Sequence, residues 1–350
     1  MQITLQNTEK GQCYAVRFDR YRQQVVDKLK TAVSVRWWDK STGAWMIPAN
    51  NKCKAELDQL TYYVRHFEPV NWGGNESKTD EDIAYQIPDM PELDEDHGLK
   101  IQPYPYQLQG IARGLQLKRF INGDDMGLGK TLESIATINK ADAFPCLVIC
   151  PNTVKINWQR EWHKFTDKKA MVLTDSVRTS WPFFWQTGMN HVFIVNYESL
   201  RKYFVRRINK SEKWTLKDVE FHNTIKLFKS VIIDESHKVK STATQQSKFC
   251  KGITAGKEWI ILLTGTPVVN KPNDLICQLA IMDRMNDLGG WKYFTSRYCS
   301  GPHGASNLKE LNFMLWKHCF FRREKSKVLT QLPDKVRQIV TCEITNRKEY

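Results

Sequence analysis

Apolar residues in the last two thirds of the chain come in two rhythms. Short runs, unbroken over residues 147–151, 231–233 and 260–263 and flanked by Arg and Asn over 119–122, have the length and branched content of buried strands. Between them lie stretches such as residues 131–139, where Leu132, Ile135, Ala136 and Ile138 recur near the helical period. Strand and helix in alternation predict an α/β fold, a mostly parallel sheet covered by helices on both faces, with its binding site at the carboxyl ends of the strands. After Leu275 the pattern turns helical and aromatic through Trp291, Tyr293, Phe294, Tyr298, Phe313, Trp316 and Phe320-Phe321, rings best used as core.

The first 71 residues follow a different rhythm. Residues 13–18 alternate as a strand, 20–29 read as a helix, and 33–38 as a second strand. Ser41-Thr42-Gly43 turns into a third strand over 44–47, and a helix follows over 52–62. This is a small α+β module of order β-α-β-β-α. Residues 72–97 then carry nine acids against the single Lys78, with Gly and Pro interspersed, which predicts a linker. The expected division is therefore 1–71 module, 72–97 linker and 98–350 main domain.

The 350 residues have a net charge of +14, and because the linker is acidic the rest of the chain is more basic still. Such a balance suits a polyanionic partner. Arg201, Lys202, Arg206, Arg207, Lys210, Lys213 and Lys217 concentrate it locally, as a nucleic-acid-facing insertion or a solvated helix face. Nine cysteines without a C-x-x-C pair give no zinc site: Cys146 and Cys150 read as buried thiols, and Cys299 with His303 lacks a second ligand pair. With no signal peptide and no apolar run near eighteen residues, the expectation is an intracellular protein with reduced thiols and no membrane partner.

Two motifs carry chemistry. Asp124-Asp125-Met126-Gly127-Leu128-Gly129-Lys130-Thr131 lies between the first strand and its helix. Glycines there let successive amides face phosphate oxygens, Lys130 adds a point charge, and the Thr131 hydroxyl reaches Mg²⁺. Asp124 stands where the general pattern has Gly. About a hundred residues on, the strand 231–233 runs into Asp234-Glu235-Ser236-His237; Asp234 would hold Mg²⁺ through its water shell and Glu235 would orient and deprotonate the attacking water.

In order from Tyr104 to Asp334 the chain shows Pro105-Tyr106-Gln107 with Gly110-Ile111, the glycine loop, Leu147-Val148-Ile149-Cys150-Pro151, Asn157-Trp158-Gln159-Arg160-Glu161 and Val195-Asn196-Tyr197-Glu198. The acidic box, Leu263-Thr264-Gly265-Thr266-Pro267 and Phe321-Arg322-Arg323 leading to Leu332-Pro333 complete the series. This sequence of motifs resembles the Swi/Snf-type ATPases of helicase superfamily two, over roughly two thirds of the chain. The resemblance implies a RecA-like domain that uses ATP and Mg²⁺, with Gln107 selecting adenine. It also implies that Thr264, Gly265 and Thr266 link His237 to the nucleic-acid side, and that main-chain groups at Pro151, Asn152, Asn196 and Tyr197 hold DNA phosphates. A second RecA-like half would complete the ATP site with arginines, and the expectation is that it lies in a longer protein or a second polypeptide. Arg322 and Arg323 are the nearest arginines by chemistry, but in the family they belong to the first half.

The first 71 residues resemble, on Val16-Arg17-Phe18, Trp37-Trp38-Asp39, Thr42-Gly43-Ala44-Trp45 and the Leu57 to Leu60 helix, the HepA-related (HARP) module of annealing helicases. Trp37, Trp38 and Trp45 with Arg17, Arg36 and Lys40 could form a surface for branched or single-stranded DNA. Alternation puts Trp37 and Trp38 on opposite faces, so the competing reading places Trp45 and one of that pair in the core. The function these resemblances imply is an ATP-dependent duplex-DNA translocase that remodels or reanneals branched DNA. A strand-separating DEAH-type helicase and a non-hydrolysing ATP-dependent DNA clamp are the alternatives.

Overall fold

The computed structural model describes residues 1–8, 11–18, 22–64, 70–73, 85–93, 97–210, 212–265, 272–299 and 304–329. Thr266, His303, the Leu332-Pro333 connector and much of the acidic stretch lie outside the described residues. Two compact units divide the chain, Met1–Ala84 and Tyr85–Tyr350.

In the first unit β1 (Gln2–Thr8), β2 (Gly11–Arg17), β3 (Trp37–Asp39), β4 (Ala44–Pro48) and β5 (Asn71–Gly73) form one sheet of order β3-β4-β2-β1-β5. Helices Gln23–Ala32 and Asn51–Val64 bury Val25, Leu29, Leu57 and Leu60 with Ile3, Val16 and Ile47. The sheet thus has two strands more than the sequence pattern indicated. Ile3 is buried but Leu5 is half exposed, so β1 shows little contrast, and β5 has three residues. The strand expected over 33–38 begins only at Trp37.

Trp37 lies opposite Met46 and packs on the Cys13, Ala15, Ala44 and Met46 cluster. Trp38 lies opposite Trp45, their ring centroids 5.5 Å apart, and is 49% exposed, whereas Trp45 packs against the helix-side core. Arg17 donates to the Thr42 carbonyl at 3.1 and 3.2 Å, and Arg36 donates to that of Val33. Trp38 is thus the exposed tryptophan of the three, and two of the expected phosphate-binding cations are held by backbone.

The second unit is built on β6 (Arg119–Asn122), β7 (Cys146–Cys150), β8 (Ala170–Val172), β9 (Val192–Asn196), β10 (Val205–Ile208), β11 (Val219–Phe221), β12 (Ser230–Asp234), β13 (Trp259–Leu263) and β14 (Phe320–Phe321). Strands β10 and β11 form a separate antiparallel hairpin. The other seven make an all-parallel sheet of order β14-β6-β13-β12-β7-β9-β8, the predicted α/β architecture.

Burial on both faces explains the unbroken apolar runs. Alternate residues serve opposite cores: Leu147, Ile149, Val231 and Ile233 pack on one side with Phe249 and Leu279, while Val148, Cys150 and Ile232 pack on the other with Ile135, Trp158 and Trp162. Burial pushes the Cys146 and Cys150 thiols up to about 12, which keeps them protonated. Helices Leu275–Ile281, Gly290–Tyr298 and Leu308–His318 follow β13; Phe294 and Tyr298 are core, but Trp291 and Tyr293 are exposed, against the expectation for all these rings.

Strand order fixes the site. Because β14, β6, β13 and β12 are neighbours, their carboxyl ends bring Arg322-Arg323, the glycine loop, Thr264 and the acidic box side by side.

Candidate nucleotide and nucleic-acid site

The loop after β6 runs into the helix Lys130–Lys140, whose first-turn amides and dipole favour an anion. Gly127 and Gly129 have φ of +86° and +88°, a region that strains side-chain-bearing residues. A Cβ at Gly129 would also meet Gln107 Nε2 at 2.3 Å. Lys130 Nζ donates to the carbonyls of Asp124 and Asp125, at 2.7 and 3.3 Å. Burial lowers its pKa although surrounding carboxylates pull the other way. A partly buried ammonium folded onto its own loop's carbonyls, beneath a helix start, fits a polyphosphate that would restore its solvation. Among the described residues the Thr131 hydroxyl makes no hydrogen bond.

Gln107 is buried. Its carbonyl accepts from Tyr104 N at 3.0 Å, and its amide donates to Leu128 O at 3.1 Å. It ties the start of the helix Pro105–Leu117 to the loop, leaving one amide hydrogen for another acceptor. Met126, at the loop tip, is 71% exposed.

The position that departs from the general pattern is the best anchored. Asp124 is fully buried and accepts from Arg323 N at 2.7 Å and Nε at 3.0 Å. Arg323 Nη2 also bonds Asp124, and donates to Glu133 Oε1 at 2.6 Å; Nη1 donates to Tyr106 O. Asn122 Nδ2 donates to Glu133 Oε2 at 2.9 Å. Burial, with Asp124 as a second negative charge, pushes Glu133 up to about 8 against the pull of Arg323. Asp125, at the next position, accepts from Arg322 Nη2 at 3.1 Å and Lys325 N at 3.0 Å, and these contacts hold its pKa down. The arginine pair after β14 therefore grips the two acids that open the loop.

At the end of β12, Asp234 accepts from Trp158 Nε1 and from Glu235 N, both at 2.9 Å. Burial raises its pKa and the indole hydrogen bond opposes the rise. Glu235 has φ +51° and ψ +50°, a left-handed conformation unusual outside Gly, of the kind that gathers at functional sites. Its carboxylate lies 3.2 Å from His237 Nδ1, which is 3.4 Å from Thr264 Oγ1. Glu235, His237 and Thr264 thus lie in contact in that order. Gly265 follows against the loop, a Cβ there lying 3.9 Å from Lys130 Nζ. Ser236, given no role from sequence, donates to Gln278 Oε1 at 2.8 Å.

Of the residues assigned to nucleic acid, Asn152 is exposed and Pro151 half-buried, in the turn leading from β7 to the helix Lys155–Phe165. Asn196 and Tyr197 turn inward. Asn196 accepts from Ser199 Oγ at 2.8 Å and donates to Glu198 Oε2 at 2.7 Å, while Tyr197 is buried with its hydroxyl on Asp234 O. Their side chains are spent inside the protein, so any hold on phosphate from this turn falls to its main chain.

Sequence reasoning missed the roles of Asn122, Asp124, Glu133, Trp158 and Arg323. The one signal was the acid in place of Gly at the head of the loop.

The SNF2-related domain family matches residues 39–350, a span that opens within the first unit. The Caenorhabditis elegans homolog of SWI/SNF-related matrix-associated actin-dependent regulator of chromatin subfamily A-like protein 1 is 30% identical over 257 residues, 68% of this chain and 33% of its own length. Human DNA annealing helicase and endonuclease ZRANB3 is 29% identical over 260 residues, 70% of this chain and 23% of its own. Among solved structures, the Sulfolobus solfataricus SWI2/SNF2 ATPase core in complex with dsDNA is similar with a TM-score of 0.53 and 26% identity, over 69% of this chain and 49% of that one. The chain spans about a quarter to a third of the length of these curated relatives. With the family matched across most of its length, the chain belongs to the SNF2-related domain family.

Proposed function

We propose that this chain is the ATP-binding half of a DNA-dependent ATPase that moves along duplex DNA and remodels or reanneals branched structures. The observation that carries the reading is the meeting, across adjacent strand ends, of Lys130 on the glycine loop with the Asp234, Glu235, His237 and Thr264 series. Relatives described as an annealing helicase and as an ATPase core in complex with dsDNA support the DNA part.

In this reading Lys130 and the amides of 127–131 hold the β- and γ-phosphates, and Gln107 offers its remaining amide hydrogen to adenine. Bound Mg²⁺ would neutralise charge on the phosphates, with Thr131 and Asp234 as its protein partners. Glu235 takes the proton of the attacking water. His237 and Thr264 carry the state of Glu235 toward Gly265, Thr266 and the DNA-facing turns at Pro151-Asn152 and Asn196-Tyr197. Asp124 and Asp125 hold Arg323 and Arg322, so the cation that meets the transferred phosphate is assigned to a facing domain or a second polypeptide. Residues 1–71 are read as a module that prefers forked or single-stranded DNA through the exposed Trp38, with 72–97 as linker. An intracellular, DNA-containing compartment belongs to the same reading.

The test is steady-state phosphate release, with duplex, single-stranded and forked DNA, by the chain supplied with its facing half. Stimulation by duplex and fork supports the translocase. Stimulation by single strands alone, with strand separation, favours a DEAH-type helicase, and nucleotide-dependent DNA binding without turnover leaves a clamp. Deleting residues 1–71 should reduce fork preference more than nucleotide affinity; equal loss on fork and plain duplex would make the module a structural cap.

A further inference from the structure

Between the Asn196-Tyr197 turn and β12 the chain builds a basic hairpin that the nucleotide site does not use. The helix Leu200–Phe204 runs directly into β10, which pairs with β11. In a regular strand Arg206 and Arg207 would point to opposite faces. Here the register shifts between Val205 and Arg207, and a bulge of this kind re-aims side chains. Both guanidiniums reach one carboxylate, Glu220, at 3.0 and 3.6 Å, while their side chains stay 68% and 70% exposed. With Arg201 and Lys202 they line a pocket of about 410 Å³ whose one acidic residue, among those described, is Glu198.

A hairpin that needed only solvation would keep its charges apart. This one spends a bulge to bring two arginines together and gives them a single carboxylate. Lys202 has its own partner, Asp175, at 2.7 Å. The pocket is therefore short of negative charge, and its lining supplies forked donors suited to phosphate oxygens. Val205 and Ile208 complete the lining, which among the described residues has no aromatic ring on which a base could stack. That favours a ligand presenting phosphates on its outside and its bases within, as a duplex does. The location agrees: Glu198 accepts from Asn196, and Tyr197 between them bonds the carbonyl of Asp234.

We propose that the pocket formed by Arg201, Lys202, Arg206 and Arg207 is a backbone-phosphate site for duplex DNA. The proposal rests on the reading of the chain as a DNA-dependent ATPase, and the following experiment separates the two. Labelled duplex and single-stranded DNA are titrated by anisotropy over a salt series, alongside a fluorescent-nucleotide titration. The proteins are the wild type and the double substitutions Arg206→Gln/Arg207→Gln and Arg206→Lys/Arg207→Lys.

The Gln pair should weaken duplex binding roughly tenfold near 0.1 M salt, and should lower the slope of log affinity against log salt by about two, since each phosphate that a cation neutralises adds about 0.9 to that slope. The Lys pair should keep the slope, and nucleotide affinity should not change. Duplex affinity and slope equal to wild type in the Gln pair would overturn the site while leaving the ATPase reading in place. A preference for single strands that disappears with the same substitution, or competition by polyglutamate as strong as that by duplex, would assign the pocket to another ligand. A wild type that binds nucleotide but neither form of DNA would sink the DNA-dependent reading and this site with it.

Discussion

The two strand ends that face each other across the candidate site are built on opposite principles. At β6 the loop is fastened by buried charge, Arg323 bonding Asp124 and Glu133 and Asn122 bonding Glu133, with the part-exposed pair of Arg322 and Asp125 beside it. At β12 Glu235 sits on a left-handed turn beyond the well-held Asp234 and is joined by longer contacts, 3.2 Å to the part-exposed His237 and 3.4 Å from His237 to the buried Thr264. A rigid cradle suits a ligand that must be held in one pose, whereas a loosely tied acid suits a group whose position reports what else is bound. On the proposed reading the difference separates binding from hydrolysis and its coupling, and substitutions at the two ends should fail in different ways.

The largest expected effect is at the loose end. Glu235→Gln keeps the shape of the turn but removes the base, and a general base contributes roughly 10²- to 10⁴-fold. DNA-stimulated phosphate release by the chain supplied with its facing half should fall by that order, with ATP still bound; wild-type turnover would remove this mechanism. Next comes Arg323→Ala at the fastened end. It leaves Asp124 buried without its cation, and breaking such a pair costs about 3–5 kcal/mol. Denaturant melts should show a loss of that size, together with loss of nucleotide binding. Arg323→Lys should recover part of the stability but less of the binding, because a point charge cannot reproduce the fork.

Smaller still is Thr264→Val. It removes one hydroxyl from the coupling chain, and should lower the stimulation of phosphate release by DNA severalfold while leaving nucleotide affinity and basal release near wild type. An equal fall in basal and stimulated rates would show that Thr264 belongs to the cradle instead.

Glu133 gives an effect of pH rather than of catalysis, and fixes its sign. Folded Glu133 keeps its proton up to about pH 8, against an ordinary value of 4.5, so the folded state binds more protons between these limits. Its contribution to stability is complete below pH 4.5 and is lost as pH rises toward 8. Thermal melts across that window should slope downward in the wild type and less steeply in Glu133→Gln; parallel slopes would contradict the assignment.

What could be read from sequence divides along the same line. The parallel sheet was legible because buried strands leave unbroken apolar runs, and the glycine loop and acidic box because their chemistry is local in sequence. The fastening of the loop was not. Arg323 and Asp124 lie 199 residues apart, and they meet through β14, a two-residue strand with no periodicity of its own. Asn196 and Tyr197 show the converse: their position at a strand end was legible, but the inward direction of their side chains was set by Glu198, Ser199 and Asp234 around them. The basic cluster between residues 201 and 217 was visible as charge, whereas the bulge that gathers Arg206 and Arg207 on one carboxylate depends on pairing with β11.

The contrast between the two strand ends is tested most directly by titrating a fluorescent ATP analogue, with Mg²⁺, into Glu235→Gln and Arg323→Lys beside the wild type. Melting curves would confirm that each protein is folded. A fastened binding end and a separate hydrolysing end predict wild-type affinity for Glu235→Gln and clearly weakened affinity for Arg323→Lys. Equal affinities in the two variants, or the weaker one in Glu235→Gln, would contradict it.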